Sequence, residues 1–205
     1  MKTDKVTPIF YVGGSGGHFL SALLNCAKVN HNEPLNFSEF GHAHNTLFGI
    51  NQYPMTDENI ESIKEKHKDG FRFISTHTDI DFLLTHFDKL IIITYETDED
   101  IKEITAARII KVGYGIHRIQ LDRIPNLTTN HIIDLRSRMK DFDICSKDNI
   151  LCISWANLYK DDPKNLISIL HSFTNIPKEN FSIEIISQWR TLTMKSIQKY
   201  IELCP

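Results

Sequence analysis

The residues best suited to chemistry lie near the start of the chain, in Ile9-Phe-Tyr-Val-Gly-Gly-Ser-Gly-Gly-His-Phe-Leu20. Positions 13–17 hold four glycines and one serine, between a short apolar run (Pro8 to Val12) and a helical one. Glycine accepts left-handed backbone angles and lets a ligand come close, while the N–H groups of the turn and first helical turn point at an anion. Gly13, Gly14, Ser15, Gly16 and Gly17, with the Ser15 hydroxyl, therefore read as a phosphate cradle. The plain alternative is a tight strand-to-helix turn without a ligand. His18, at the helix start, is either an anion donor or a partly buried first-turn residue. His77, in Ser75-Thr-His-Thr-Asp79, follows a predicted strand. A histidine with an ordinary pKa of about 6.5 suits a proton acceptor there, and equally a residue capping the next helix.

Other constellations have bland explanations. His31, His42 and His44 have the look of a metal site, but no cysteine pair supports them, and a loop touching substrate is preferred. The run Thr97-Asp-Glu-Asp100 suits a helix N-terminus better than a metal. Arg136, Arg138 and Lys140 read as a solvated helix face. Trp155 is either a pocket wall or a core residue.

These groups need elements to position them. Phe19, Leu20, Leu23, Leu24 and Ala27 fall at helical spacing and predict one apolar face after the loop. Residues 30–55 read as irregular and 56–68 as a polar helix. Phe71–Ser75 reads as a strand, with Thr78 or Asp79 capping a short helix through Phe87. Lys89–Tyr95 is a continuous β-branched run suited to a central parallel strand. A helix follows to about Val112, Gly113-Tyr-Gly115 breaks it, and 129–141 read as helical. Asn149–Ser154 reads as a buried strand. Asp162-Pro163 opens a helix whose Leu166, Ile169, Leu170 and Phe173 face the core, and the last helix spans about Ile183–Glu202. Strands alternating with helices predict one α/β domain over residues 1–205, a three-layer, mostly parallel sheet with helices on both faces. In such sheets ligands sit beyond the carboxyl ends of the strands, where the glycine loop and Ser75–Asp79 both fall.

The totals narrow the class. A formal net charge of -3 argues against general nucleic-acid binding, and no run of eighteen apolar residues predicts a membrane span. The first residues lack a signal-peptide core. The four cysteines form no CxxC pair, so reduced thiols in a cytoplasmic protein are expected.

The loop does not fit GxxxxGK[ST], since His18-Phe19 stands where the lysine belongs, and this argues against a kinase. Nor does it fit GxGxxG, since Phe19 occupies the third glycine position. Gly14-Ser-Gly-Gly-His-Phe-Leu20 instead resembles the 5′-phosphosulfate loop of the sulfotransferases, [KR]-S-G-T-T-W-L, with Phe19 in the aromatic position. Ser75-Thr-His-Thr-Asp-Ile-Asp-Phe-Leu-Leu84 is similar to that family's K-T-H-L-P-x-x-L-L segment. Ile153-Ser-Trp-Ala-Asn-Leu-Tyr-Lys-Asp-Asp-Pro163 is similar to its Y-E-D-L-x-x-D-P pattern.

The resemblance implies a P-loop-like fold that binds 3′-phosphoadenosine 5′-phosphosulfate and passes the sulfuryl group to a hydroxyl or amine of a small-molecule or carbohydrate acceptor, without a metal. Carried over, Ser15, Gly16, Gly17 and His18 hold the phosphosulfate and His77 is the base. Gly13, Gly14 and Phe19 complete the cofactor loop. Thr105 supplies a hydroxyl, and Arg108 a compensating cation. Three positions depart from the pattern: Gly14 and Ser75 replace basic residues, and Glu96 aligns with the 3′-phosphate arginine. His18, Arg108 or Arg190 would have to substitute. The other reading that follows is a fold kept as a binding or structural module after the chemistry was lost.

Overall fold

The computed structural model describes residues 2, 4–29, 35–41, 43–44, 55–67, 72–111, 120, 123–138, 142, 144–145 and 147–204. The expectations for His31, His42, Gly113–Gly115 and Lys140 lie outside these residues, as does the side chain of His44. Four parallel strands form the main sheet: β1 (Val6–Phe10), β4 (Arg72–Thr76), β5 (Leu90–Thr94) and β6 (Ile150–Ser154). Their order is β4-β1-β5-β6, so the apolar runs of β1 and β5 occupy the middle. Alternate side chains go to opposite faces, the period of a pleated strand. Ile9, Tyr11, Ile91 and Ile93 enter one core. Val6, Phe10, Leu90 and Ile92 enter the other.

The first core is covered by α1 (Gly17–Lys28), α4 (Asp98–Arg108), α5 (Ile124–Arg138), α6 (Trp155–Tyr159), α7 (Pro163–Thr174) and α8 (Ile183–Leu203). The second lies under α2 (Ile60–Lys66) and α3 (Ile80–His86). The architecture is the expected three-layer α/β fold. The chain leaves β1 towards β4 on one side, and leaves β5 towards β6 on the other. That divergence opens the crevice at the carboxyl ends of the strands where ligands bind in such sheets.

Several elements differ from expectation. Helix α1 is buried almost all round, including Ser21, Asn25 and Cys26. Its outer side is covered by a small antiparallel hairpin, β2 (Asn36–Phe37) with β3 (Ala43–His44), inside the segment expected to be irregular. The polar atoms on α1 are satisfied by the sheet edge. Asn25 donates to the Phe73 carbonyl (2.8 Å) and accepts from the Phe73 N–H (3.0 Å), while Ser21 donates to the same carbonyl (2.7 Å). An amide side chain thus completes the hydrogen bonding of edge strand β4.

Helix α5 begins at Ile124, five residues before the predicted start, because Pro125 is tolerated in a first turn whose N–H groups have no helical partner. Helix α6 starts directly after β6 with no connecting loop. Its start is fixed by a capping box in which Asn157 N–H donates to the Ser154 hydroxyl (3.1 Å) and Ser154 N–H to the Asn157 side chain (3.2 Å). Of the expected caps, Asp79 stands on α3 and Asp162 on α7, and of Thr97 and Asp98 it is Thr97 that caps α4, in a capping box with Asp100. The cysteines correct the expectation of four reduced thiols. Cys145 and Cys152 form a disulfide joining the segment after α5 to β6, and Cys26 and Cys204 are thiols outside it. Among the described residues no helix is long and apolar enough to cross a membrane.

Candidate functional site

The glycine loop turns between β1 and α1 with Gly14 and Gly16 at φ +95° and +96°, angles that disfavour any side chain. Gly16 is the N-cap of α1, no side chain caps the helix, and no acidic residue lies in its first turn. The start of α1 therefore keeps the donor character that suits an anion. Ser15 is fully buried and its hydroxyl donates inward to the Val12 carbonyl (2.8 Å), so it shapes the turn instead of offering a donor to ligand.

Close neighbours account for the glycines. A Cβ on Gly13 would overlap the Arg108 guanidinium, and one on Gly14 would meet the Ile104 carbonyl and Arg108 Cβ at 2.5 and 2.8 Å. At Gly16 it would meet the Trp189 ring at 2.7 Å and the Tyr159 hydroxyl at 2.9 Å, and at Gly17 the Tyr11 ring. Four glycines in five positions let α4, α6 and α8 press side chains onto the loop. One of those side chains, Arg108, is a cation.

His77 leaves β4 at the same end of the sheet. Its ring packs on that of Tyr11, tilted by 36° with centroids 4.1 Å apart, and its Nδ1 lies 2.6 Å from the Tyr11 carbonyl oxygen. A carbonyl only accepts, so Nδ1 carries the proton and donates it, and in the neutral ring Nε2 is then the basic atom. Burial of the ring lowers its pKa, the Tyr11 carbonyl opposes this, and the Arg108 charge lowers it further. His18 Nε2 lies 2.6 Å from the Tyr11 hydroxyl. Burial raises the Tyr11 pKa far above its ordinary value, so the phenol keeps its proton and shares a hydrogen bond with His18 whose direction follows the imidazole tautomer. Tyr11 thus orients both histidines, one through its carbonyl and one through its hydroxyl. Sequence reading missed it, because an aromatic residue at a strand end looks like core.

Arg108 packs between Gly13 and helix α5. Burial lowers its pKa, with Asp134 and Tyr11 opposing. His131, also missed in the sequence, is buried in α5 with Nδ1 3.0 Å from the Thr105 hydroxyl. Burial, with the Arg108 charge adding, takes its pKa down to about 4, so it is neutral near pH 7. Only the register of α5 brings it here, and the sequence did not place that helix start.

Three expected site residues have different places. Phe19 is core: its ring stacks flat on Trp189 at 3.8 Å, because the first turn of α1 is sandwiched between sheet and α8. Thr105 is 1% exposed and its hydroxyl is taken by His131. Arg190 cannot replace a lost loop cation, since its guanidinium bonds the carbonyls of Leu158 (2.6 Å), Asn157 (2.8 Å) and Asp161 at the end of α6.

The bland readings hold at the acidic and basic runs. Thr97–Asp100 forms a capping box, Arg136 pairs with Asp98 (2.9 Å), and Arg138 pairs with Asp134 (3.0 Å). Trp155 is a fully buried core residue whose indole donates to Glu103 (2.6 Å). Glu96 is exposed at the end of β5. Lys160 pairs with Asp100 (3.5 Å) and Glu103 (3.1 Å) on α4. Among the described residues no group of three or more His, Cys, Asp or Glu is arranged to hold a metal.

Compared with known proteins, the chain matches no family model, no curated protein and no solved structure. The function therefore rests on the chemistry of this cluster.

Proposed function

We propose that the loop and its neighbours bind the phosphosulfate end of 3′-phosphoadenosine 5′-phosphosulfate and transfer its sulfuryl group to an acceptor hydroxyl or amine. The observation that carries this reading is Arg108. Its guanidinium lies on Gly13, with its Cβ against Gly14, the position where the sulfotransferase pattern has a basic residue and this chain has glycine. With the first-turn N–H groups of α1 and His18, it makes a donor set of the kind that stabilises charge on a transferring group.

In this reaction His77 Nε2 takes the proton of the acceptor, whose oxygen or nitrogen attacks sulfur. The sulfur–oxygen bond to the 5′-phosphate breaks, and 3′-phosphoadenosine 5′-phosphate leaves carrying the electron pair. The Tyr11 carbonyl holds His77 in the required tautomer. A base so positioned contributes about 10²–10⁴-fold to such a step. The test is acceptor-dependent release of 3′-phosphoadenosine 5′-phosphate across a panel of hydroxyl and amine acceptors. Release with at least one acceptor class is expected, and no release with any would contradict transfer.

A second reading is a binding module without turnover. It is favoured by the tight packing of the loop, where Tyr11, Tyr159 and Trp189 occupy the space that glycines leave. Nucleotide binding with no transfer distinguishes it.

A further inference from the structure

Helix α4 passes into a wide turn at 109–111, and Lys111 in that turn points into the core. Wide turns of this kind often mark functional positions. Lys111 is 5% exposed, and no carboxylate pairs with it among the described residues. Its Nζ donates to the Thr193 hydroxyl (2.6 Å) and lies 5.4 Å from the Trp189 ring and 5.8 Å from the Tyr159 ring. One hydroxyl and two aromatic faces are poor compensation for a buried ammonium.

A second buried polar group stands beside it. Tyr159 is 6% exposed, and its hydroxyl has no hydrogen-bond partner among the described residues. That hydroxyl lies against Gly16, the uncapped N-terminus of α1, 2.9 Å from where a Cβ would sit. Thr193 neighbours both groups: its oxygen accepts from Lys111, and its O–H can only donate to the Tyr159 oxygen, opposing the rise in pKa from burial, so the phenol's own proton still has no acceptor. A donor without an acceptor and a cation without an anion thus flank one helix start. Both deficits are met by the same ligand, an anion.

We propose that Lys111, Thr193 and Tyr159 form the inner wall of the anion site, with the Tyr159 hydroxyl donating to a phosphate-type oxygen at the start of α1 and Lys111 supplying buried positive charge behind it. This rests on the anion-binding reading of the loop and extends it to residues that no phosphosulfate-loop pattern includes. Arg108 lies on the Gly13 side of the loop and Lys111 behind the Trp189 and Tyr159 rings that pack on Gly16, so charges lost from the loop return from the C-terminal end of α4. Burial takes the Lys111 pKa down to about 7, so a nearby anion draws it to the charged form around neutral pH.

The test is calorimetric titration of the full chain and two variants with 3′-phosphoadenosine 5′-phosphate. Lys111→Met keeps the length of the side chain, Tyr159→Phe removes only the hydroxyl, and circular dichroism checks that both fold. Wild type is expected to bind, with each variant weakened roughly tenfold or more, the size of one hydrogen bond to a charged group. Wild-type affinity in both variants would overturn the inner wall while leaving the loop reading intact. No binding by wild type would overturn the loop reading and the inner wall with it. A Lys111→Met that fails to fold leaves Tyr159→Phe to decide, with unchanged affinity counting against the proposal.

Discussion

The Nδ1 of His77 lies 2.6 Å from the carbonyl oxygen of Tyr11, so the residue just after β1 sets the tautomer of the residue just after β4. Adjacent parallel strands make this possible. The register that pairs Phe10 with Thr76 brings Tyr11 and His77 side by side at the carboxyl end of the sheet. His77→Ala is therefore expected to lower sulfuryl transfer by at least about 10²-fold while leaving nucleotide affinity within a factor of about two. Because Nε2 must be unprotonated and the His77 pKa is lowered, wild-type transfer should rise with pH to a plateau reached by neutral pH. Unchanged turnover in the variant, measured as nucleotide release, removes His77 from the mechanism.

Gly16→Val is expected to unfold the protein more readily than it impairs binding. A branched side chain at φ +96° is strained, and it would press on Trp189 and Tyr159. A loss on the order of 2–4 kcal/mol should appear in a denaturant titration. Gly13→Ala meets only the guanidinium of Arg108, which can move. It should cost less stability and more anion affinity, and the two variants together separate the architectural part of the loop from its ligand-facing part.

Asn25→Ala tests the edge of the sheet. It leaves the N–H of Phe73 without its partner and removes one of two donors to the carbonyl. A loss of about 2–4 kcal/mol is expected in a denaturant titration, since buried backbone groups left unpaired lose their full desolvation cost. A change below about 1 kcal/mol would mean that water replaces the amide.

Lys111 predicts a pH dependence of stability. Its pKa is depressed in the folded chain to about 7 and is ordinary, about 10.4, when unfolded. Between those values the unfolded chain holds more protons, so stability rises with pH from about 7 to about 10. Lys111→Met should be more stable than wild type at pH 7, by an amount on the order of 2–4 kcal/mol, and should lack that rise. The difference between the two unfolding free energies at pH 6, 8 and 10 isolates this group from the others.

The disulfide has a direct test. Thiol titration of denatured, unreduced protein should find two reactive cysteines of the four, Cys26 and Cys204. Four would mean that the expectation of reduced thiols holds in solution.

The fold was legible where local chemistry is strong. The β-branched run of β5, the Asp79 and Asp162 caps, and the glycines after β1 each carry their own signal. The start of α5 was not legible, because Pro125 reads as a breaker until it is known to lie in a first turn. The hairpin β2–β3 was missed because two-residue strands have no periodicity. At the candidate site, Gly13–His18 and His77 were picked out from residue type and spacing, and the fold brings them to the same end of the sheet. Tyr11, His131, Lys111 and Tyr159 were not, since each looks like an ordinary core or surface residue along the chain. Only the packing of α4, α5, α6 and α8 around the loop makes them neighbours. The same packing turned Arg190 and Phe19 into structural residues.

The central claim is that the loop between β1 and α1 holds a phosphorylated nucleotide. The measurement that tests it most directly is calorimetric titration of the purified chain with 3′-phosphoadenosine 5′-phosphate, with magnesium ATP as the control. Micromolar binding of the first and none of the second is the result expected from a cradle that has Arg108 but lacks a P-loop lysine. No binding of either would contradict the claim and leave the glycines explained by the side chains packed on them.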